Sequence, residues 1–540
     1  MHFLIAFLFT ASVAASQTQL KPEDLCRLDG VVINSATGEP VAKAQILLSR
    51  IDRQERPYSS TADAEGKFVF MGIEPGQYRM SATRNGFVRG SYGGRGQMGM
   101  GTALTLQKGQ KMIVPEFKLI PHAVVTGRVV DADGEPVPYS QVNLLRSTFM
   151  QGRRQMVPMG NAMTNDLGEY RMFSVAPGSY ILMATARNDE FSYMGSIDAS
   201  GRESQEMSST TYYPNVLDMD QAAKVVVAQG ARLQGLDLRL LRSRVYKVSG
   251  QVTGLPGRGR NAAVNITSKG DTMAWMGFGR SMSQVQPDGK FEVRGVRPGV
   301  YTLNANVFEQ EARVSGRIDV TVTNANVEGV VVALEKGFDV NGIVKIEGAS
   351  ADGVRVALEP KERGDPYFGG ANGIVKDDGT FVFRQVSAGF KGSFRAYQIP
   401  DGYYLKSVKY GWADLLHGDT ALTAGGTIEV TMSAGAAKIE GVVTNEKGAQ
   451  AAGIGVVAIP ADERARAAFR GAVTTDQSGR YSIKNLAPGE YSLIAIEGFE
   501  GGMDQDPEIL KTYQSAVEKV TVKERAVENK PLKAVKAAEQ

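Results

Sequence analysis

The sequence predicts an all-β protein made of about five tandem Greek-key β-sandwich modules, with one short helix near the C-terminus. Three observations predict it: a length of 540 residues, an abundance of glycine (62 residues), and a turn-and-strand motif that recurs with fixed internal spacing.

A chain of 540 residues is longer than one hydrophobic core normally supports, which implies roughly three to five domains. Hydrophobic residues at 42% and charged residues at 22% are ordinary for a folded soluble protein, so the glycines signify many turns and few long helices. The net charge is only +3, with basic residues scattered among acidic ones. That excludes the basic footprint of a nucleic-acid binder.

The repeat is anchored on Gly66, Gly168, Gly289, Gly379 and Gly479. Two residues on stand Phe68, Tyr170, Phe291, Phe381 and Tyr481; seven residues on stand Ile73, Val175, Val296, Val386 and Leu486. Pro75-Gly76, Pro177-Gly178, Pro298-Gly299 and Pro488-Gly489 follow, with Ala388-Gly389 in the deviant fourth copy. Tyr78, Tyr180, Tyr301 and Tyr491 come two residues later, and the fourth copy has Phe390 and Phe394 nearby instead.

Acidic or amide residues with glycine suit the positive φ of a tight hairpin turn, and the alternation after it places one strand face inward. Proline then fixes φ at the next turn, glycine accepts a positive φ, and tyrosine re-enters the core. Upstream of each block a strand opens with glycine: Gly30-Val31-Val32, Gly127-Arg128-Val129, Gly250-Gln251-Val252, Gly342-Ile343-Val344 and Gly441-Val442-Val443. Modules of about 90 to 120 residues with seven or so strands suit a Greek-key sandwich.

The combined pattern of opening glycine, Asp-Gly turn, aromatic and Pro-Gly-x-Tyr resembles the carboxypeptidase regulatory-like domain. The resemblance runs over residues 26 to 525 and implies a transthyretin-like or immunoglobulin-like sandwich, also described as a carbohydrate-binding-like fold. It implies nothing firm about activity, because this accessory module is attached to peptidases, outer-membrane receptors and adhesins alike. The expected modules are 26–121, 122–243, 244–337, 338–435 and 436–536, after a signal peptide at 1–16.

That signal peptide is an apolar run from Phe3 to Phe9 followed by the small residues Ala11 to Ser16. It predicts an exported protein, periplasmic, outer-surface or extracellular. No later segment reaches the roughly 20 apolar residues of a membrane span, so no transmembrane segment is expected in the mature chain. Cys26 is the single cysteine, which excludes an intramolecular disulfide framework.

The sequence carries none of the usual catalytic signatures. The histidines are His2, His122 and His417, and Val125 and Thr420 occupy the positions where a zinc peptidase places its glutamate. No Gly-x-Ser-x-Gly elbow accompanies them. The acidic turns Asp131 to Glu135 and Asp377 to Gly379 lack the alternating oxygen ligands of a calcium loop, so turn chemistry accounts for them. No cofactor or metal is expected, and the chain is expected not to be an enzyme.

Three insertions, Ser91 to Gly101, Phe149 to Met163 and Met273 to Met282, read as loops by their Gly, Met and Arg content. Their methionines include Met98, Met100, Met150, Met156, Met159, Met163, Met273, Met276 and Met282, suited to adaptable apolar contacts; Cu(I) is the other reading, without His or Cys to support it. The only tryptophans, Trp275 and Trp412, lie outside the repeat. With Tyr212 and Tyr213 they are candidates for stacking on sugar rings, or alternatively cover the core edges of their modules.

Asp506-Pro507-Glu508 starts a short helix over Glu508 to Ala516, followed by strands around Val520 and Leu532. The function expected is non-catalytic binding or scaffolding, with a polysaccharide or an envelope protein as partner and tandem copies supplying avidity. A structural stalk or adhesin-like spacer, and an accessory subunit of a peptidase whose active site lies in another chain, are the alternatives.

Overall fold

A computed structural model describes residues 21–51, 55–94, 99, 101–150, 153–185, 206–256, 262–269, 281–308, 313–360, 370–416, 421–462 and 471–537. The expected signal peptide, Trp275 and His417 lie outside them. The protein is all-β, and its sheets join strands within five consecutive groups, 26–119, 123–244, 246–336, 338–434 and 437–536. Each group wraps two sheets around its own buried cluster.

One sheet of each group centres on the opening strand: Cys26–Asn34, Ala123–Val130, Tyr246–Thr253, Phe338–Ile346 or Ala437–Thr444. The aromatic-bearing strand runs antiparallel beside it, placing Phe68, Tyr170, Phe291, Phe381 and Tyr481 directly opposite Gly30, Gly127, Gly250, Gly342 and Gly441. The two halves of the sequence motif are therefore one cross-strand pair. The glycine is needed for space: a Cβ on Gly342 would lie 2.0 Å from the Phe381 ring, and one on Gly250 would lie 1.8 Å from the Val330 carbonyl oxygen. All five aromatics are buried, none more than 4% exposed.

The odd spacing of the third apolar position has a backbone cause. Strict alternation would turn residues two, four and six past the anchor glycine inward and leave the seventh outside. The sixth residue, Gly72, Ser174, Gly295, Gln385 or Asn485, instead has φ between 53° and 73°, opposite a register shift in the opening strand. This bulge resets the alternation, so Ile73, Val175, Val296, Val386 and Leu486 face the core.

One turn assignment needs correction. The Asp63-to-Gly66 turn does not close a hairpin: Tyr58–Thr61 and Lys67–Ile73 lie in different sheets, so the turn carries the chain across the sandwich. At the Pro-Gly step the glycine φ is positive as expected in four copies, 71° at Gly389 and a more extended 158° at Gly76, 159° at Gly299 and 155° at Gly489. At Gly299 the absent side chain makes room for the Tyr301 ring, 3.2 Å from where a Cβ would sit.

The tyrosines close this step by donating their hydroxyls to the carbonyl four residues back: Tyr78 to Glu74, Tyr180 to Ala176, Tyr301 to Arg297 and Tyr491 to Ala487, each at 2.8 Å. In the fourth group Gly392 faces Pro360 as Tyr491 faces Pro460 in the fifth. The Phe390 ring covers Gly392, 2.7 Å from where a Cβ would lie, and fills the volume of the missing tyrosine.

The predicted loop at Phe149 to Met163 is instead largely a strand. Arg153–Met163 pairs antiparallel with Gln141–Met150 and extends the sheet as an edge strand. Met282 likewise sits in a strand, Ser281–Gln284. Near the C-terminus the helix shrinks to Ile509–Thr512, flanked by 3-10 turns at Met503–Gln505 and Gln514–Ala516, before strands Glu518–Val522 and Leu532–Lys533. Cys26 is buried in its strand, its thiol donating to the Gln107 carbonyl at 2.9 Å.

The chain closes on itself. Successive groups touch, as where Lys484 meets Asp401 at 3.1 Å between the fourth and fifth. The fifth group also meets the first and second: the Gln477 amide bonds the backbone of Thr105, and Arg146 pairs with Glu500. Isolated bridges join Gly99 to Glu500 and Ala103 to Asp476.

Candidate functional site

Trp412 occupies the tip of a hairpin formed by Tyr403–Tyr410 and Ala413–Asp414, with Gly411 at φ 58° in the turn. Both sides of the tip are anchored. Tyr410 is buried and its hydroxyl donates to the Thr423 carbonyl; Leu415 is fully buried and its N–H bonds the Val408 carbonyl at 2.8 Å. Trp412 between them is fully exposed, at 106% of the reference surface. The alternative that it covers a core edge does not hold.

The hairpin exists because the fourth group departs from the others. Its strand Tyr403–Tyr410 joins the sheet of the opening strand, pairing with Thr427–Ala434, whereas Arg313–Val322 and Glu518–Val522 join the opposite sheet of their groups. The result is a rigid projection carrying one large flat apolar surface and an indole N–H donor.

Tyr212 and Tyr213 are placed differently. Tyr212 is buried against Leu145, Met156 and Met183, and Tyr213 packs against the core of the second group. They are not brought together with Trp412. Of the insertion methionines, Met156 is buried, Met159 is packed against the second core, and Met163 and Met282 are exposed on separate groups. Met98, Met100, Met273 and Met276 lie outside the described residues, as does the side chain of Met150.

His122 Nδ1 lies 3.3 Å from Ser174 Oγ. Burial lowers the His122 pKa, opposed by a hydrogen bond with the Phe87 backbone. Ser174 is the left-handed bulge residue, and among the described residues no carboxylate is hydrogen-bonded to the ring. The acidic turns use their oxygens internally. Asp131 Oδ1 accepts the N–H groups of Asp133 and Glu135 at 2.9 Å each, and Asp378 Oδ1 accepts the Thr380 N–H at 2.9 Å. Among the described residues no three His, Cys, Asp or Glu side chains gather as metal ligands.

The seam between the fifth group and the first holds a partly open cavity of about 240 Å³, lined by Gly93, Gly101, Gly453 and Phe499 among others. Burial pushes the Glu500 carboxyl up, and Arg146 opposes that shift. Nothing in the sequence signalled this contact, whose partners are 354 residues apart.

Residues 27–119 and 438–524 match the family model of the carboxypeptidase regulatory-like domain. No curated protein matches the chain in sequence. Among solved structures, the Bacillus anthracis TIE protein is similar at 10% identity over 58% of this chain and 51% of that one, with a TM-score of 0.17. The chain thus spans about half the length of that protein. A minor pilin of Streptococcus agalactiae is similar at 11% identity over 40% of this chain and 97% of its own, TM-score 0.23. BcpA, the major pilin subunit of Bacillus cereus, is similar at 10% identity over 76% of this chain and 98% of its own, TM-score 0.13.

Proposed function

We propose that this chain, whose residues 27–119 and 438–524 match the carboxypeptidase regulatory-like domain and whose other three strand groups repeat the same glycine–aromatic cross-strand pair, is an exported, non-catalytic scaffold of the cell envelope that binds polysaccharide through projecting aromatic side chains. The observation that carries the reading is Trp412, fully exposed on a hairpin held from both sides. An exposed tryptophan on a rigid support has surface to offer a sugar ring and loses little conformational freedom on binding. The repeated aromatics are unavailable, since each is committed to a core.

Two further features support a scaffold. The matched family is a regulatory-type domain, and in the acidic turns one carboxylate oxygen each of Asp131 and Asp378 accepts backbone N–H groups of the turn itself. Among the described residues no helix is long and apolar enough to cross a membrane. A spacer or stalk, and an accessory subunit to a peptidase in another chain, remain the competing readings. The spacer needs the seam between the fifth group and the first two to open.

Affinity electrophoresis of the full chain in gels containing soluble polysaccharides tests the reading. Retention is expected for the wild type and lost in Trp412→Ala, with the melting transition unchanged because the side chain packs against no core. Retention that survives the substitution places the sugar contact elsewhere, and a wild type that no polysaccharide retards favours the spacer.

A further inference from the structure

The fifth group meets the first two through a seam of polar and backbone contacts. The Gln477 amide bonds both backbone groups of Thr105 at 3.0 Å each, Arg146 pairs with Glu500, and Thr148 Oγ1 donates to the Gly501 carbonyl at 3.5 Å. Two glycines set the fit. A Cβ on Gly453 would lie 2.7 Å from Thr102 Oγ1, and one on Gly502 would lie 2.5 Å from the Phe149 carbonyl oxygen, so the two faces are complementary in shape. Among the described residues no hydrophobic cluster crosses the seam: those of the first, second and fifth groups each stay within their own group.

Consecutive groups are joined in another way, by contacts local in sequence that involve the left-handed bulge residue. The Gly86 carbonyl accepts the His122 N–H at 2.9 Å, and the His122 ring touches Ser174. The Gly295 bulge lies against Met207, whose Sδ would be 3.0 Å from a Cβ there. The Asn485 side chain bonds the Gly402 N–H at 3.2 Å and the Ile399 carbonyl at 3.3 Å. None of these joints involves the seam, so the array keeps its order when the seam parts. A cleft of about 610 Å³ at the joint of the third and fourth groups leaves the array room to bend.

A polar contact between domains with no shared hydrophobic core resembles a transient interface, and it holds within one chain because tethering keeps the two faces at an effective concentration of about the millimolar range. The two faces are also unlike one another, which makes the interface heterologous: the fifth group's face fits the first and second groups of another chain as well as those of its own. Exchange between two chains forms two seams for the two it breaks, with identical contacts. It loses only the advantage of the tether.

We infer that the seam is exchangeable between chains: the face built by Thr102, Thr105, Arg146 and Phe149 is a docking surface for the fifth group of a second copy of this chain, and two chains pair by exchanging their fifth groups. Pairing is independent of saccharide binding at Trp412, and it gives the scaffold a route to self-association that leaves every sandwich folded.

Charge reversal tests it. In Arg146→Glu the seam carries two carboxylates and in Glu500→Arg two guanidinium groups, so neither variant closes on itself or pairs with its own kind. Mixed one to one, the two variants present an acid to a base at both exchanged seams. Light scattering after size exclusion should show each variant alone as an expanded monomer and the mixture as a one-to-one dimer, at least about tenfold tighter than either self-pairing. The chain carrying both substitutions should be a compact monomer. A mixture that stays monomeric while both single variants are expanded overturns the proposal, and so do single variants that stay compact, since their seam does not open. If a single variant does not fold, isotopically light and heavy wild-type chains, unfolded and refolded together at high concentration, carry the test by native mass spectrometry. A mixed-label dimer supports exchange, and monomers alone overturn it.

Discussion

The side-chain amide of Gln477 pairs with both backbone groups of Thr105, accepting its N–H and donating to its carbonyl at 3.0 Å each, across 372 residues of chain. Thr105 lies in the edge strand Ala103–Leu106, whose other side pairs with Gly76–Thr83. Gln477 therefore supplies one rung of a ladder to an edge that would otherwise face solvent, and covers it.

Closure also depends on Arg146 and Glu500. Burial raises the Glu500 carboxyl above its ordinary value of 4.5, the Arg146 charge opposing. A carboxyl raised in the closed form stabilises that form most when protonated; this contribution is full below 4.5 and is lost as pH rises through the raised value. Glu500→Gln should therefore keep the seam closed at neutral pH. Arg146→Ala should loosen it, by leaving a half-buried carboxylate without its partner. Small-angle scattering would show a larger maximum dimension for Arg146→Ala only; equal expansion in both variants would refute the assignment.

The tyrosine-to-carbonyl bond predicts a graded local response. Tyr180→Phe should cost about 1 kcal/mol by leaving the Ala176 carbonyl without its donor, and Tyr180→Ala about 3–5 kcal/mol through the cavity it leaves. Hydrogen exchange should show the loss in residues 123–244 first, because each group has its own core. Uniform loss across all groups would contradict separate cores.

The buried phenols of both repeated tyrosine positions predict alkaline sensitivity. Burial pushes the Tyr491 hydroxyl from 10.0 up to about 12, and Tyr78, Tyr170 and Tyr481 also upward. A phenol raised on folding contributes stability that is full below 10.0 and lost as pH climbs towards the folded value. Denaturation midpoints should hold to about pH 10 and fall steeply towards 12, with phenolate absorbance at 295 nm rising together with unfolding. Phenolate formation well before unfolding would show the hydroxyls to be accessible.

How far the sequence disclosed this molecule depends on the range of the interaction. The opening glycines and the aromatics were legible as repeating positions because strand pairing fixes both, and their contact followed once they proved to be cross-strand partners. The bulge was hidden, since Ser174 and Gln385 carry no sign of a left-handed backbone, although the displaced aliphatic at the seventh position was its trace. The strand Arg153–Met163 was masked by its Gly, Met and Arg content, which reads as loop where no partner is known. Trp412 was recognisable as lying outside the repeat, but its exposure depends on a strand that changed sheets. The seam had no local signature at all, because one Gln side chain on a distant edge strand sets no periodicity.

Distance measurement by pulsed electron–electron resonance tests closure most directly. Spin labels at Lys108 and Ser478, both exposed and close in sequence to Thr105 and Gln477, sit on either side of the seam. The structure predicts a short, narrow distance distribution in the full chain at neutral pH, broadened in Arg146→Ala. A long, broad distribution in the wild type would show the first and fifth groups apart in solution, contradicting the closed scaffold in favour of an extended spacer.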